Sequence, residues 1–285
     1  MKNTLKKLIL AVTLSAMTCT GAQAVRTHCA ADTASAIRAV RSVAAPGAAP
    51  STVAAALASS LVGVPYESAM RTDSTGRLQL RLDAFDEISF VNTVAALAKA
   101  ATQPGSARIG DIEEALVSMS CRRGEENGFP SIMAYGADWA IDNKGRGNIS
   151  ELTESYSDLF KTKSLDYLTR HRTEFPALAD SAAFDRQKML EMGFRSHKIP
   201  YMKRQSFEWK DVMEEMADGD IVMLLGNNPE FDWVTMGFVV RKDDGFHLVY
   251  ASPEQGKVVI EEMPLSRYVK KNAARIYGYR WFRLK

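Results

Sequence analysis

Cysteine and histidine are scarce in this chain, with three of one and four of the other in 285 residues. His28, His171, His197 and His247 stand apart, none with a neighbour at metal-ligand spacing, so the sequence offers no metal centre and no cofactor is expected. An excess of charge of one sign is also lacking. Lys and Arg total 36 against 34 Asp and Glu, which gives no electrostatic footprint for nucleic acid or an anionic membrane surface. Long apolar runs are missing too: Leu8 to Met17 is too short to span a bilayer. There is no internal repeat and no extended low-complexity linker, which excludes solenoid and linker-rich architectures.

What is present at the start is a basic stretch, Met1-Lys2-Asn3-Thr4-Leu5-Lys6-Lys7, then the apolar run, then Ala22-Gln23-Ala24. That order predicts a secretory signal peptide over residues 1–24, cleaved after Ala24. The expected product has 285 − 24 = 261 residues, enough for a large core. It loses three lysines, so its formal charge is 33 − 34 = −1. A periplasmic or secreted protein with no stable membrane insertion after cleavage is expected. In an oxidising compartment the two remaining cysteines, Cys29 and Cys121, favour a disulfide. Closing so long a loop would stabilise by about 4 kcal/mol in the chain-entropy view. The alternative is two unpaired thiols, one of them a nucleophile.

Periodicity predicts Ala-rich helices over Ala30 to Ala44 and from Ser51 to about Gly63. Residues 25–60 therefore read as an N-terminal helical extension, and 61–285 as the main domain. Leu78 to Leu82 alternates as a strand, and Asp86 is placed to cap a buried helix whose face is Ile88, Val91, Val94, Ala95 and Ala98. Further helices are predicted from Asp111 to Met119, from Ser131 to Asn143 and from Phe207 to Ala217. Residues 150–205 read as polar and mixed. The last third changes character: Ile221–Leu225, Trp233–Arg241, Phe246–Ala251, Lys257–Glu261 and Ile276–Leu284 read as strands separated by turns such as Asp243-Asp244-Gly245, with a short helix over Pro264–Lys271. Helices followed by antiparallel strands predict an α+β fold, N-terminal helices packed on one face of a C-terminal antiparallel sheet.

A helix start beside a strand is where a thiol hydrolase places its nucleophile, because the helix end favours the thiolate. Four segments give this architecture a family likeness. They are Val62-Gly63-Val64-Pro65-Tyr66; Phe85-Asp86-Glu87-Ile88-Ser89-Phe90-Val91-Asn92; Arg122-Arg123-Gly124 with Ser131 to Trp139; and Gly219-Asp220 with Phe231-Asp232-Trp233-Val234-Thr235-Met236-Gly237. A softer fifth is Val249-Tyr250-Ala251-Ser252. Together they resemble the papain-like, NlpC-type amidase family catalogued as domain of unknown function 1460, over about Leu61 to Leu284. The resemblance implies a fold shared with enzymes that cut N-acetylmuramic acid from L-alanine in peptidoglycan fragments.

The departures fall on the chemistry. Where the family pattern D-C-x-T-F-V-E has its cysteine, this chain has Glu87. Where L-D-x-x-H-x-G has its histidine, it has Thr235. Ala134, Ile132 and Tyr250 likewise replace a histidine, an arginine and the histidine of H-A-S. Threonine does not titrate near neutral pH, and amide cleavage needs a proton for the departing amine. The resemblance thus implies an exported pseudo-amidase that binds muropeptides or a protein partner through a retained cleft. Asp86, Glu87, Tyr135, Trp139, Asp232, Trp233 and Tyr250 are its candidate binding residues. Two other readings stay open: an active cell-wall amidase using carboxylate chemistry, and a secreted inhibitor or host-directed interaction protein. Asp86 and Glu87 also suit an ordinary helix start, and the aromatics also suit a core.

Overall fold

The computed structural model describes residues 26–27, 30–68, 72–73, 76–105 and 108–285. The predicted signal peptide, His28 and Cys29 lie outside them. A short strand β1 (Arg26–Thr27) precedes α1 (Ala30–Ser42) and α2 (Pro50–Ser60). Ala49, not Ser51, sits at the N-cap of α2, with Pro50 at the first helical position where its missing N–H costs nothing. Strand β2 (Gln79–Leu80) is shorter than the predicted strand, and it pairs in parallel with β1 rather than joining the main sheet. The Leu82 amide donates instead to the buried Asp32 carboxylate at 3.0 Å, so the ladder stops there.

Helix α3 (Glu87–Thr102) follows its predicted cap. Thirteen of its sixteen residues are buried. The helix is apolar nearly all round because α1, α2 and α4 (Ile109–Ser120) flank it on one side and the sheet lies on the other. Arg108, rather than Asp111, is the N-cap of α4; the Asp111 carboxylate takes the Arg108 amide. Helix α5 (Gly136–Gly145) begins five residues later than the predicted Ser131, which belongs to a 3-10 turn, Phe129–Ser131. The stretch read as mixed holds β3 (Ile149–Glu151), α6 (Thr153–Tyr156), β4 (Phe160–Lys163), α7 (Tyr167–Arg170), α8 (Ser181–Met192), β5 (His197–Pro200) and β6 (Met202–Lys203). The helix predicted over Phe207–Ala217 divides into a 3-10 turn, Arg204–Glu208, and a six-residue α9 (Lys210–Glu215).

The last third follows the alternation closely: β7 (Ile221–Gly226), β8 (Trp233–Lys242), β9 (Gly245–Ser252), β10 (Lys257–Ile260), α10 (Leu265–Lys271) and β11 (Ile276–Leu284). The main sheet runs β10-β9-β8-β7-β11-β3, with β6 beside β11, and its pairings are antiparallel. The pleat divides β7 between two cores. Ile221, Met223 and Leu225 join α3, while Val222 and Leu224 join Phe207, Val212, Leu265 and Tyr268. Helices therefore cover both faces, which corrects the one-faced packing expected from the order of elements. Helices α1 and α2 also belong to the α3 core, through Ala36, Val40, Ala54 and Leu57.

Two buried charge clusters tie β11 to its neighbours. Arg280 and Glu151, both almost fully buried, form a two-pronged pair at 2.8 and 2.9 Å. Asp220 accepts from Trp281 Nε1 at 2.8 Å, Arg283 Nε at 2.7 Å and the Ala217 amide at 2.9 Å. Gly219 before it has φ +82°, and a Cβ there would lie 1.9 Å from the Ser51 carbonyl oxygen. The Gly219-Asp220 match to the family thus serves the fold.

Candidate functional site at the start of the buried helix

Helix α3 begins as the sequence requires. The Asp86 carboxylate accepts the Ser89 amide at 2.7 Å, and Ser89 Oγ accepts the Asp86 amide at 2.9 Å. This reciprocal cap satisfies two donors that the helix end leaves open. Asp86 is buried and structural. Glu87, the next residue, is partly exposed, and its Oε2 accepts a hydrogen bond from Tyr66 at 3.2 Å.

Tyr66 is held from both sides. Its amide donates to the Gly256 carbonyl, and its backbone bridges Phe85 just before α3. Pro65 bridges Lys257 of β10. The Val62–Tyr66 segment thus joins the start of α3 to the sheet edge, with the Glu87 carboxylate beside it.

Strand β8 passes beside α3. Phe238 packs edge-on against Phe90 of α3 with ring centroids 6.1 Å apart, and Met236 shares that core. Alternation sends Thr235, Gly237 and Val239 to the opposite face. Gly237 is required there: a Cβ would stand 2.2 Å from the Val249 carbonyl oxygen of β9. Thr235 is buried, and its hydroxyl has no hydrogen-bond partner among the described residues. Glu87 bonds to Tyr66 and makes no bond to Thr235.

Most other candidates are placed as supports. Asp232, fully buried, accepts the Gly136 and Ala137 amides at 3.0 and 2.6 Å, capping α5 from across the sequence. Burial pushes its pKa up, and those two backbone amides oppose the shift. Its loop is fixed by Lys163, whose buried ammonium donates to the carbonyls of Gly226, Asn228 and Phe231. Desolvation lowers the Lys163 pKa to about 8, partly offset by Asp232.

Trp139 is buried, with Nε1 donating to Asn92 of α3 at 2.9 Å. Tyr135 is buried against Glu191 of α8 at 2.7 Å. Tyr250 is buried and donates to Glu261 at 3.3 Å. Trp233 is half-buried, with Nε1 on the Ala134 carbonyl at 3.0 Å. Of the seven binding candidates, Glu87 and Trp233 keep partial exposure. The Tyr135–Glu191 link was missed because α8 lies in the stretch read as mixed.

The thiol reading has no support among the described residues. Cys121 is buried at the end of α4 with no disulfide among them, and its proposed partner Cys29 lies outside. Desolvation pushes the Cys121 thiol up to about 12, reinforced by Glu126. The described histidines have other partners. His247 is buried between the Glu261 carbonyl at 2.7 Å and Asp244 at 2.8 Å, His171 sits between Glu174 and Glu230, and His197 packs on Phe194. Among the described residues no group of His, Cys, Asp or Glu could hold a metal, and no helix is long and apolar enough to cross a membrane.

Comparison with known proteins agrees with this architecture. A family model described as AmiA-like, N-acetylmuramoyl-L-alanine amidase-like, matches residues 56–276. An N-acetylmuramoyl-L-alanine amidase from Bacteroides uniformis has a similar fold, with TM-score 0.76 and 24% identity over 83% of this chain and 99% of that one. A provisionally named xylanase from Bacteroides fragilis has TM-score 0.73 and 26% identity over 80% of this chain and 99% of that one. Protein LPG0564 of Legionella pneumophila, assigned to domain of unknown function 1460, has TM-score 0.69 and 18% identity over 88% and 94%. No curated protein matches the chain.

Proposed function

The chain belongs to the AmiA-like, N-acetylmuramoyl-L-alanine amidase-like family, and from that premise we propose that it is an exported member that holds peptidoglycan fragments without hydrolysing them. The papain-like, NlpC-type arrangement and the loss of its nucleophile and base are part of this reading. One observation carries it: the start of α3 bears Glu87, bonded to Tyr66, and no cysteine–histidine pair exists among the described residues. Binding and bond-making use different groups, so a groove outlives its nucleophile.

Carboxylate chemistry is the weaker reading, for a physical reason. It needs two acids held at different pKa values with access to substrate. Asp86 and Asp232 are buried and already hold helix amides. Glu87 alone keeps exposure, and a helix N-terminus favours its ionised form by about 0.3–1 kcal/mol, which opposes general-acid duty.

Calorimetric titration of the purified chain with defined muropeptides tests the holding function. Saturable heat is expected, and Glu87→Ala should weaken the affinity while its melting temperature stays close to that of the unmodified chain. No heat with any muropeptide would rule out ligand holding and move the role to a protein partner.

A further inference from the structure

A concavity lies beside the Arg122 and Ser131 segments quoted above. It is a cleft of about 560 Å³ between α8 and the loop after α4, within the range of small-ligand sites. Its walls are Arg122, Asn127, Pro130, Ser131, Asp185, Arg186, Met189 and Leu190.

The frame of this cleft is rigid. Arg122 donates to Asp138 and to the Pro130 carbonyl, the latter at 3.1 Å. Ser131 Oγ donates to the Gly128 carbonyl and accepts the Asn127 amide, which fixes the turn. Helix α8 is anchored from beneath by buried Glu191, which accepts from Tyr135 and from Gln187 at 3.1 Å. Its outer residues are different. Asp185 and Arg186 are exposed and make no ion pair or hydrogen bond among the described residues, not even with each other. Met189 beside them is 68% exposed, over the apolar floor of Leu190 and Pro130.

We propose that this cleft binds the zwitterionic head of an amino acid, a free ammonium beside a free carboxylate, with its aliphatic stem on Met189 and Leu190. Arg186 supplies a planar pair of donors to the carboxylate, and Asp185 accepts from the ammonium. Glu87 is not among the residues that line this cleft, so either proposal can fail without the other.

The probe is norleucine, compared with N-acetylnorleucine and norleucine amide, each of which lacks one of the two charges. The readout is the Met189 methyl resonance in methionine-methyl-labelled protein, assigned by Met189→Leu. Saturable shifts with norleucine are expected. Acetylation, amidation, Asp185→Asn and Arg186→Gln should each weaken the affinity by about two- to fivefold, as for exposed charge pairs. Both substituted side chains are exposed, so folding is retained and a thermal melt checks it. No saturable shift, equal affinity for all three probes, or sensitivity to only one charge would overturn the proposal.

Discussion

Replacing Arg280 with methionine is expected to destabilise the chain by about 3–5 kcal/mol, because it strands a buried carboxylate without its partner. Glu151 accepts both prongs of the Arg280 guanidinium, and both side chains are about 3% exposed. The nearest other cation, Lys144, is 3.9 Å away on a half-exposed stem. For a domain of this size the loss corresponds to a melting temperature lower by about 10 °C. Replacing Glu151 with leucine in the same chain should recover much of that loss, since removing both charges also removes their desolvation cost. Thermal denaturation of the two single variants and the double variant is the check. A melting change below about 1 °C for Arg280→Met would mean the pair is solvated rather than buried.

The second large effect is at Asp232. Asp232→Ala leaves the Gly136 and Ala137 amides buried and unpartnered, at an expected cost of about 2–4 kcal/mol. Asp232→Asn should cost only about 1 kcal/mol, because burial already favours the uncharged carboxyl and an amide oxygen can still accept one bond. The sign follows from linkage. A carboxyl whose folded pKa is raised contributes stability at low pH that is lost as pH rises through the folded value. The gap in stability between the unmodified chain and Asp232→Asn should therefore narrow as pH rises. Equal costs for the alanine and asparagine variants would show that the cap is not what Asp232 contributes.

Asp232 also shows where sequence reading stops. The start of α3 was legible because its cap is local: Asp86 and Ser89 are three residues apart and bond to each other reciprocally. The start of α5 was not, because its cap arrives from 96 residues away. The strands β7 to β11 were legible from alternation and turn residues. Strands β4 and β5 pair with each other outside the main sheet and carry Lys163 and His197 among few apolar residues, so they left no period to find. The aromatics of the candidate site illustrate a second limit. Trp139 and Tyr135 could line a groove or fill a core by residue type alone, and partners on other elements, Asn92 and Glu191, decide for the core. Glu87 and Thr235 stood out only against a family pattern, since an acid at a helix start and a threonine on a strand are ordinary in themselves.

The most direct test is mass spectrometry of an N-acetylmuramoyl-L-alanyl peptide after prolonged incubation with the purified chain. On the proposed reading, Glu87 stands where the family has its nucleophile and Thr235 offers no titratable group, so the substrate mass should persist unchanged. Release of N-acetylmuramic acid and free peptide, abolished by Glu87→Ala, would contradict the account and establish hydrolysis by carboxylate chemistry.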